Sequence, residues 1–239
     1  METEPDRTRL PEDPDVLVRL DAGSPLPELT ATLDEACEQA AKQGERVVVL
    51  LRPAPPPLQP RPWPGGVSIR EVKRWERAVR RLEQLDSVAI AEGACGGPAL
   101  DLLLAAGYRI CTRDLRLLLP VNEGQFWPGM SLYRLVRRVG PAGARRIVLG
   151  DTAIGLPAAT ELGIVDRVSD DLAEAVRDAA VSRDRLSDRE ARIRLRLLEE
   201  AACADYDDAF GVHLAACDRE LRRLAGGGPD RADRTEAAG

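Results

Sequence analysis

The sequence predicts a layered α/β domain, and three stretches carry that reading. Residues 15–20 alternate apolar and polar side chains, 26–42 repeat apolar residues at helical spacing, and 46–51 are more continuously apolar, so the chain opens as strand, helix, strand. Residues 67–85 form a second amphipathic helix with Val72, Trp75, Val79 and Leu82 on one stripe. Residues 88–120, VAIAEGACGGPALDLLLAAGYRICTRDLRLLLP, then give a buried strand, a glycine turn, a short apolar helix and two further strands.

Composition bounds what such a domain can do. At 239 residues with 44% hydrophobic content one domain buries a full core, and with only 3% aromatic residues that core is filled by Leu, Val, Ile and Ala. A formal charge of −6 argues against general nucleic-acid affinity. Cys37, Cys95, Cys111, Cys203 and Cys217 are odd in number and lack metal-ligand spacing, which reads as reduced thiols in a cytoplasm and as no metal site. His213 is the sole histidine, so a zinc centre or a Ser-His-Asp triad is disfavoured. No run approaches the ~18 apolar residues of a membrane span.

In chain order, residues 1–14 are charged and proline-broken and read as a disordered arm. Gly44 closes the first helix. Residues 52–66, RPAPPPLQPRPWPGG, cannot be helix or interior strand, because each proline removes a donor and fixes φ. The loop reads as a stiff surface connection or as a functional loop. Arg70, Arg74, Arg77, Arg80 and Arg81 on the next helix could face phosphate, but interleaved Glu71, Glu76 and Glu83 favour a solvated face. Gly93, Gly96 and Gly97 break the central strand, and Pro98 stands where a first helical residue belongs, since its missing N–H has no intrahelical partner there anyway. Asp101 lies in the first turn of that helix, as a dipole-stabilising acid or as a site carboxylate. Phe126 and Trp127 set much of the scarce aromatic surface side by side, as core or as the grip on a flat ring. A helix is expected from 131 to 139, a helix and strand over 156–168, helices at 171–181, 187–202 and 206–225, and a disordered tail from 226. Ala191, Leu195, Leu198 and Ala202 form one stripe with Ile193 and Leu197 off it, so the terminal helices present two apolar faces.

AIAEGACGGPALDLLLAAGYRI, followed by RLVRRVGPAGARRIVLG and AATELGIVDRV, resembles the crotonase superfamily, the enoyl-CoA hydratases and isomerases, over residues 47–168. The resemblance implies a crotonase β-β-α superhelix over 15–168 and a C-terminal helical oligomerisation region over 169–225, building a trimer or hexamer. It implies a coenzyme A thioester as ligand, with no further cofactor. In that family two backbone N–H groups hold the thioester oxygen, and two carboxylates relay water and protons at the substrate double bond. Gly65 and Gly66 are then the candidates for one donor. The other aligns with Pro98, which has no N–H, and a shift of one residue gives the role to Gly97 while displacing Asp101. Asp101 stands at the first carboxylate position and Val121 at the second, with Glu123 two residues beyond. Arg52, Trp63, Phe126 and Trp127 are the candidate CoA and acyl contacts, with Trp63 placed to stack on adenine.

Losing one oxyanion donor costs enzymes roughly 10²–10³ in rate, and losing an acid/base partner about 10²–10⁴. Hydratase turnover is therefore expected to be close to nil. Within the family, GGPALDLLLA with LPVNEGQFWPGM is similar to the small crotonase homologues of 3,5-dihydroxyphenylglycine pathways. That likeness implies a type III polyketide synthase and other crotonase-family pathway proteins as partners. An active acyl-CoA hydratase, dehydratase or isomerase using Asp101 and Glu123 is the alternative.

Overall fold

Short runs of β-branched and aliphatic residues set the architecture by pairing side by side. β1 (Val16–Asp21), β2 (Val47–Arg52), β3 (Ser87–Ala91), β5 (Tyr108–Cys111) and β10 (Arg167–Val168) make a five-stranded sheet in the order β1-β2-β3-β5-β10. Every pairing in it is parallel. The computed structural model describes residues 16–21, 23–44, 46–52, 63–127, 129–150, 153–184, 193–194, 197–198 and 206–226. The expected arm at 1–14, the proline-rich loop through 62, nearly all of the helix at 187–202 and the tail from 227 lie outside the described residues.

A parallel sheet is covered on both faces, so its strands read as continuous apolar runs rather than alternating ones. Here the two faces separate cleanly. Val47, Val49, Leu51, Ala89 and Ala91 join one buried cluster with α1 (Leu26–Gln43), α2 (Ile69–Gln84) and α3 (Pro98–Ala105). Val48, Leu50, Val88, Ile90 and Ile110 join a second with Leu172, Ala175, Val176 and Ala179 of α6 (Leu172–Asp184). The alternation follows from the period of two along a strand. β1 at the edge alternates buried and more exposed positions, as its sequence does.

Two helices begin on side-chain caps: Asp171 Oδ1 accepts from the Glu174 N–H at 2.8 Å at the start of α6, and α2 carries a fuller device. Ser68 and Glu71 form a reciprocal capping box at α2, with the Ser68 N–H donating to Glu71 Oε2 at 2.7 Å and the Glu71 N–H donating to Ser68 Oγ at 3.4 Å. Gly44 ends α1 in the left-handed region at φ 70°. The stripe predicted on α2 is the buried one: Trp75, Val79 and Leu82 are buried, joined by Ala78, while Val72 is half-buried. Arg70, Arg74 and Arg77 lie exposed, and Arg80 and Arg81 pair with Glu83 and Asp34.

A second, three-stranded sheet branches from the glycine turn. β4 (Ala94–Gly96) runs parallel to β6 (Arg116–Leu118), which pairs antiparallel with β9 (Ala153–Gly155). A hairpin of β7 (Val121–Asn122) and β8 (Gln125–Phe126) follows β6. α4 (Ser131–Val148) was expected to stop at residue 139; it breaks there and resumes, because Gly140 takes φ 72° and Pro141 restarts the helix from its first-turn position. α5 (Leu156–Glu161) leads into β10, whose approach is fixed by Arg109: its guanidinium donates to Asp166 Oδ1 at 2.7 Å and to the Ala106 carbonyl at 3.1 Å.

The chain divides after Ala180 into two units. In the first, α6 packs on the sheet through Leu172, Ala175, Val176 and Ala179. In the second, α7 (Tyr206–Gly226) opens on Asp207 and Asp208, which suit the positive end of the helix dipole. No helix among the described residues is long and apolar enough to cross a membrane.

Leu82→Ala, at a fully buried site between helices and sheet, is expected to lower unfolding stability by ~2–5 kcal/mol. Leu149→Ala, at a position 72% exposed, should change it by less than about 0.5 kcal/mol in the same urea titration. Equal losses at the two positions would contradict the assignment of the core.

Candidate functional site

The glycine turn is built by close approach. A Cβ on Gly96 would sit 3.0 Å from the Leu118 Cβ on the neighbouring strand, so a side chain there would push β4 off β6. Gly97 caps α3 with φ 54° and ψ −118°, a conformation that L side chains rarely adopt. A Cβ on Gly97 would meet Trp63 Cγ and Cδ2 at 3.1 Å, so the indole of the loop after β2 rests directly on the turn. Trp63 in turn packs edge-on against Trp75 of α2, with ring centroids 5.8 Å apart and planes at 79°.

Asn122 fixes the backbone of Trp63 from both sides. The Trp63 N–H donates to Asn122 Oδ1 at 3.1 Å, and Asn122 Nδ2 donates to the Trp63 carbonyl at 2.6 Å. Asn122 is itself held by the β7–β8 hairpin, whose turn residues Glu123 and Gly124 both take left-handed φ, 50° and 78°. Such paired left-handed residues match the right-handed twist of the flanking strands. The Trp127 N–H closes the hairpin on the Pro120 carbonyl at 2.7 Å. Beside this clamp lies a cavity of about 290 Å³, walled by Trp63, Gly65, Ile69, Val72, Asn122 and Trp127 among others.

Asp101 belongs to a different environment. It is buried on α3, and Trp75 Nε1 donates to its Oδ2 at 3.0 Å. Its Oδ1 has no hydrogen-bond partner and lies 3.9 Å from Arg134 Nη1, which also has none. Arg134 of α4 is buried between carboxylates of α2: its Nε donates to Glu83 Oε1, and its Nη2 stands 3.0 Å from Glu76 Oε2 without hydrogen-bond alignment. One guanidinium thus faces Glu76, Glu83 and Asp101, and the two glutamates alone already outweigh its single positive charge. Burial, then the Glu76 carboxylate, pushes the Asp101 carboxyl up to about 7, against the opposing pull of the Trp75 hydrogen bond, Arg134 and Ser131. Protonation of Asp101 relieves the excess negative charge.

The structure brings Trp63, Gly65, Gly97 and Trp127 into one neighbourhood, with Gly66 next to Gly65 and open space where its Cβ would be. It does not bring Asp101 and Glu123 there together. Asp101 faces Trp75 and Arg134, while Glu123 is exposed at the hairpin turn, and neither lines the cavity. Pro98 is the buried first residue of α3, and Val121 is 39% exposed on β7 opposite Phe126. Phe126 is half-buried against the main core. Arg52 pairs through its backbone with Asp21 at the end of β2, and its side chain lies outside the described residues. Asn122 is the residue that sequence reasoning missed: its turn was visible, its role as clamp was not, because the partner lies 59 residues away.

Among the described residues no three His, Cys, Asp or Glu side chains gather to hold a metal. Burial raises the Cys95 and Cys111 thiols to about 12 and Cys37 to about 11, so none of these supplies a thiolate near neutrality.

No family model matches the sequence. A protein of Amycolatopsis orientalis described as an enoyl-CoA-hydratase is 42% identical over 214 residues, spanning 88% of this chain and 98% of that one. Solved structures agree in fold. A putative enoyl-CoA hydratase from Thermobifida fusca YX in complex with CoA superposes with a TM-score of 0.66 at 19% identity, over 91% of this chain and 94% of that one. A putative enoyl-CoA hydratase from the same organism in complex with acetoacetyl-CoA gives 0.63 at 20% identity, over 89% and 92%. With a parallel sheet that branches at a glycine turn, and a relative this similar over nearly its whole length, the chain belongs to the crotonase superfamily of enoyl-CoA hydratases and isomerases and has the crotonase fold.

Proposed function

We propose that this chain is an acyl-CoA-binding, hydratase-like protein that assists a type III polyketide synthase in forming 3,5-dihydroxyphenylacetyl-CoA from malonyl-CoA, with too little acid/base machinery to turn over as a hydratase alone. The observation that carries this reading is the setting of Asp101: the carboxyl aligned with the family's first acid/base position accepts from Trp75, stands 3.9 Å from Arg134 and does not line the cavity. Val121 has no proton to transfer, and Pro98 has no N–H. The CoA and acetoacetyl-CoA held by the Thermobifida fusca proteins support a thioester as ligand. The likeness of GGPALDLLLA and LPVNEGQFWPGM to the small crotonase homologues of dihydroxyphenylglycine pathways supports the synthase as partner.

The second reading, an active hydratase, dehydratase or isomerase using Asp101 and Glu123, draws on one observation. A carboxyl raised to about 7 is protonated in the range where a general acid works. It would need a substrate to reach a carboxyl hydrogen-bonded behind an indole.

Oligomerisation in multiples of three is part of the proposal. On α7, Phe210, Leu214 and Leu221 are 48%, 49% and 65% exposed and fall, with exposed Cys217, at heptad spacing along one face. A second copy of the chain would bury that stripe. Uncrosslinked cysteines in all four described positions accord with a cytoplasmic home.

Purified protein is expected to give no detectable hydration of crotonyl-CoA by absorbance assay, whereas addition to the synthase should raise aromatic product formation. Hydratase turnover at an ordinary rate would reject the proposal. Light scattering should report a trimer or hexamer, and a monomer at all concentrations would remove the oligomer from it.

The Asp101 carboxyl also predicts a pH signature in stability. Its folded-state pKa lies above its unfolded value, so the folded state binds the extra proton. The stability this contributes is complete below about pH 4, declines as pH rises, and is lost once pH passes about 7. A tenfold difference in proton affinity between the folded and unfolded states corresponds to about 1.4 kcal/mol. Asp101→Asn cannot ionise, so urea unfolding should show the variant gaining on the wild type between pH 4 and pH 8. A constant difference between the two proteins would show that Asp101 titrates normally.

A further inference from the structure

The cavity beside Trp63 has a composition unlike the rest of the molecule. The chain contains three tryptophans, and two of them, Trp63 and Trp127, form its walls. Pro64, Val67, Ile69 and Val72 complete an apolar lining, and no charged side chain faces it among the described residues. At about 290 Å³ it stands at the small end of ligand pockets, which run from roughly 300 to 1,000 Å³. One substituted ring matches such a space.

Two features make the walls rigid rather than merely apolar. Trp63 is fixed by Asn122 at its backbone and by Gly97 and Trp75 at its ring. The Trp127 indole is seated on Gly129, where a Cβ would lie 2.9 Å from Nε1, and its backbone is tied to Pro120. Indole walls held in this way lose little entropy on binding and favour flat partners through offset or edge-on contact. The polar side chain at the wall is the Asn122 amide, which both donates to Trp63 through Nδ2 and accepts from it through Oδ1. An uncharged ring bearing an oxygen substituent, able to meet an amide as donor or acceptor, matches this lining. A carboxylate or phosphate finds no balancing charge among the described lining residues.

We propose that this cavity is a binding site for a neutral, oxygen-substituted aromatic ring, held between Trp63 and Trp127, and that Trp63 separates the ring from the Gly97 turn. The inference deepens the thioester reading above and rests on it only for attaching such a ring to an acyl group. The free ring binds without a thioester, so the two can fail separately.

The test is binding of phenol to the full chain, followed by tryptophan fluorescence and by saturation-transfer NMR. Cyclohexanol serves as the non-planar control of similar size and benzoate as the charged planar one. Phenol should bind saturably, at least tenfold more tightly than either control. Val72→Trp, which fills the cavity from the α2 wall, should weaken phenol at least tenfold while the far-UV circular dichroism stays that of the wild type. Should Val72→Trp misfold, Trp127→Leu removes one wall instead and must give the same loss. Phenol binding that is absent, no tighter than cyclohexanol, or unchanged in a folded variant would overturn the site. Stimulation of the synthase alongside any of those results would leave the accessory reading standing without it.

Discussion

The contact between the Trp63 indole and Gly97 is the constraint on which the rest of the site depends. Only a residue without a side chain can let an aromatic ring approach a helix N-terminus at 3.1 Å from the would-be Cβ, and only a left-handed φ turns the chain from β4 into α3 at that point. Asn122 fixes the same tryptophan, gripping Trp63 through both of its amide ends. Hairpin, Trp63 and glycine turn are therefore one mechanical unit. The surface of the glycine turn is thereby covered by the Trp63 indole.

Behind that unit a second constraint decides the fate of the carboxylate. A buried guanidinium is tolerable when carboxylates answer it, and Arg134 has Glu83 and Glu76 close by. Asp101 is buried beside this cluster, and burial, then the Glu76 carboxylate, raises its carboxyl. Asp101 ties α3 to α2 and α4, accepting from Trp75 and standing 3.9 Å from Arg134 Nη1. The carboxyl thereby serves as a joint between helices.

Much of the fold was legible because it rests on local pattern. The runs VVVLL and SVAIA read as buried strands, and the Val72–Trp75–Val79–Leu82 stripe reads as a face turned to a core. The resumption of α4 after Gly140 was less legible, since a glycine-proline pair reads equally well as a stop. Of the site, Gly97 and Trp63 were legible as types of residue but not as a contact, because 34 positions separate them and nothing in either segment names the other. The orientation of Asp101 was illegible for a sharper reason. One step along a helix turns a side chain by about 100°, so an offset of a single residue in a glycine-rich segment decides between cavity and core.

Asp101 lies outside the ligand site in this account, and the most direct measurement of that placement is a carbon-detected NMR titration of its side-chain carboxyl with and without saturating malonyl-CoA. The predicted result is one raised pKa near 7, unchanged by the thioester. A pKa in the ordinary carboxylate range, or one that moves when the thioester binds, would place Asp101 at the reacting centre and contradict the account.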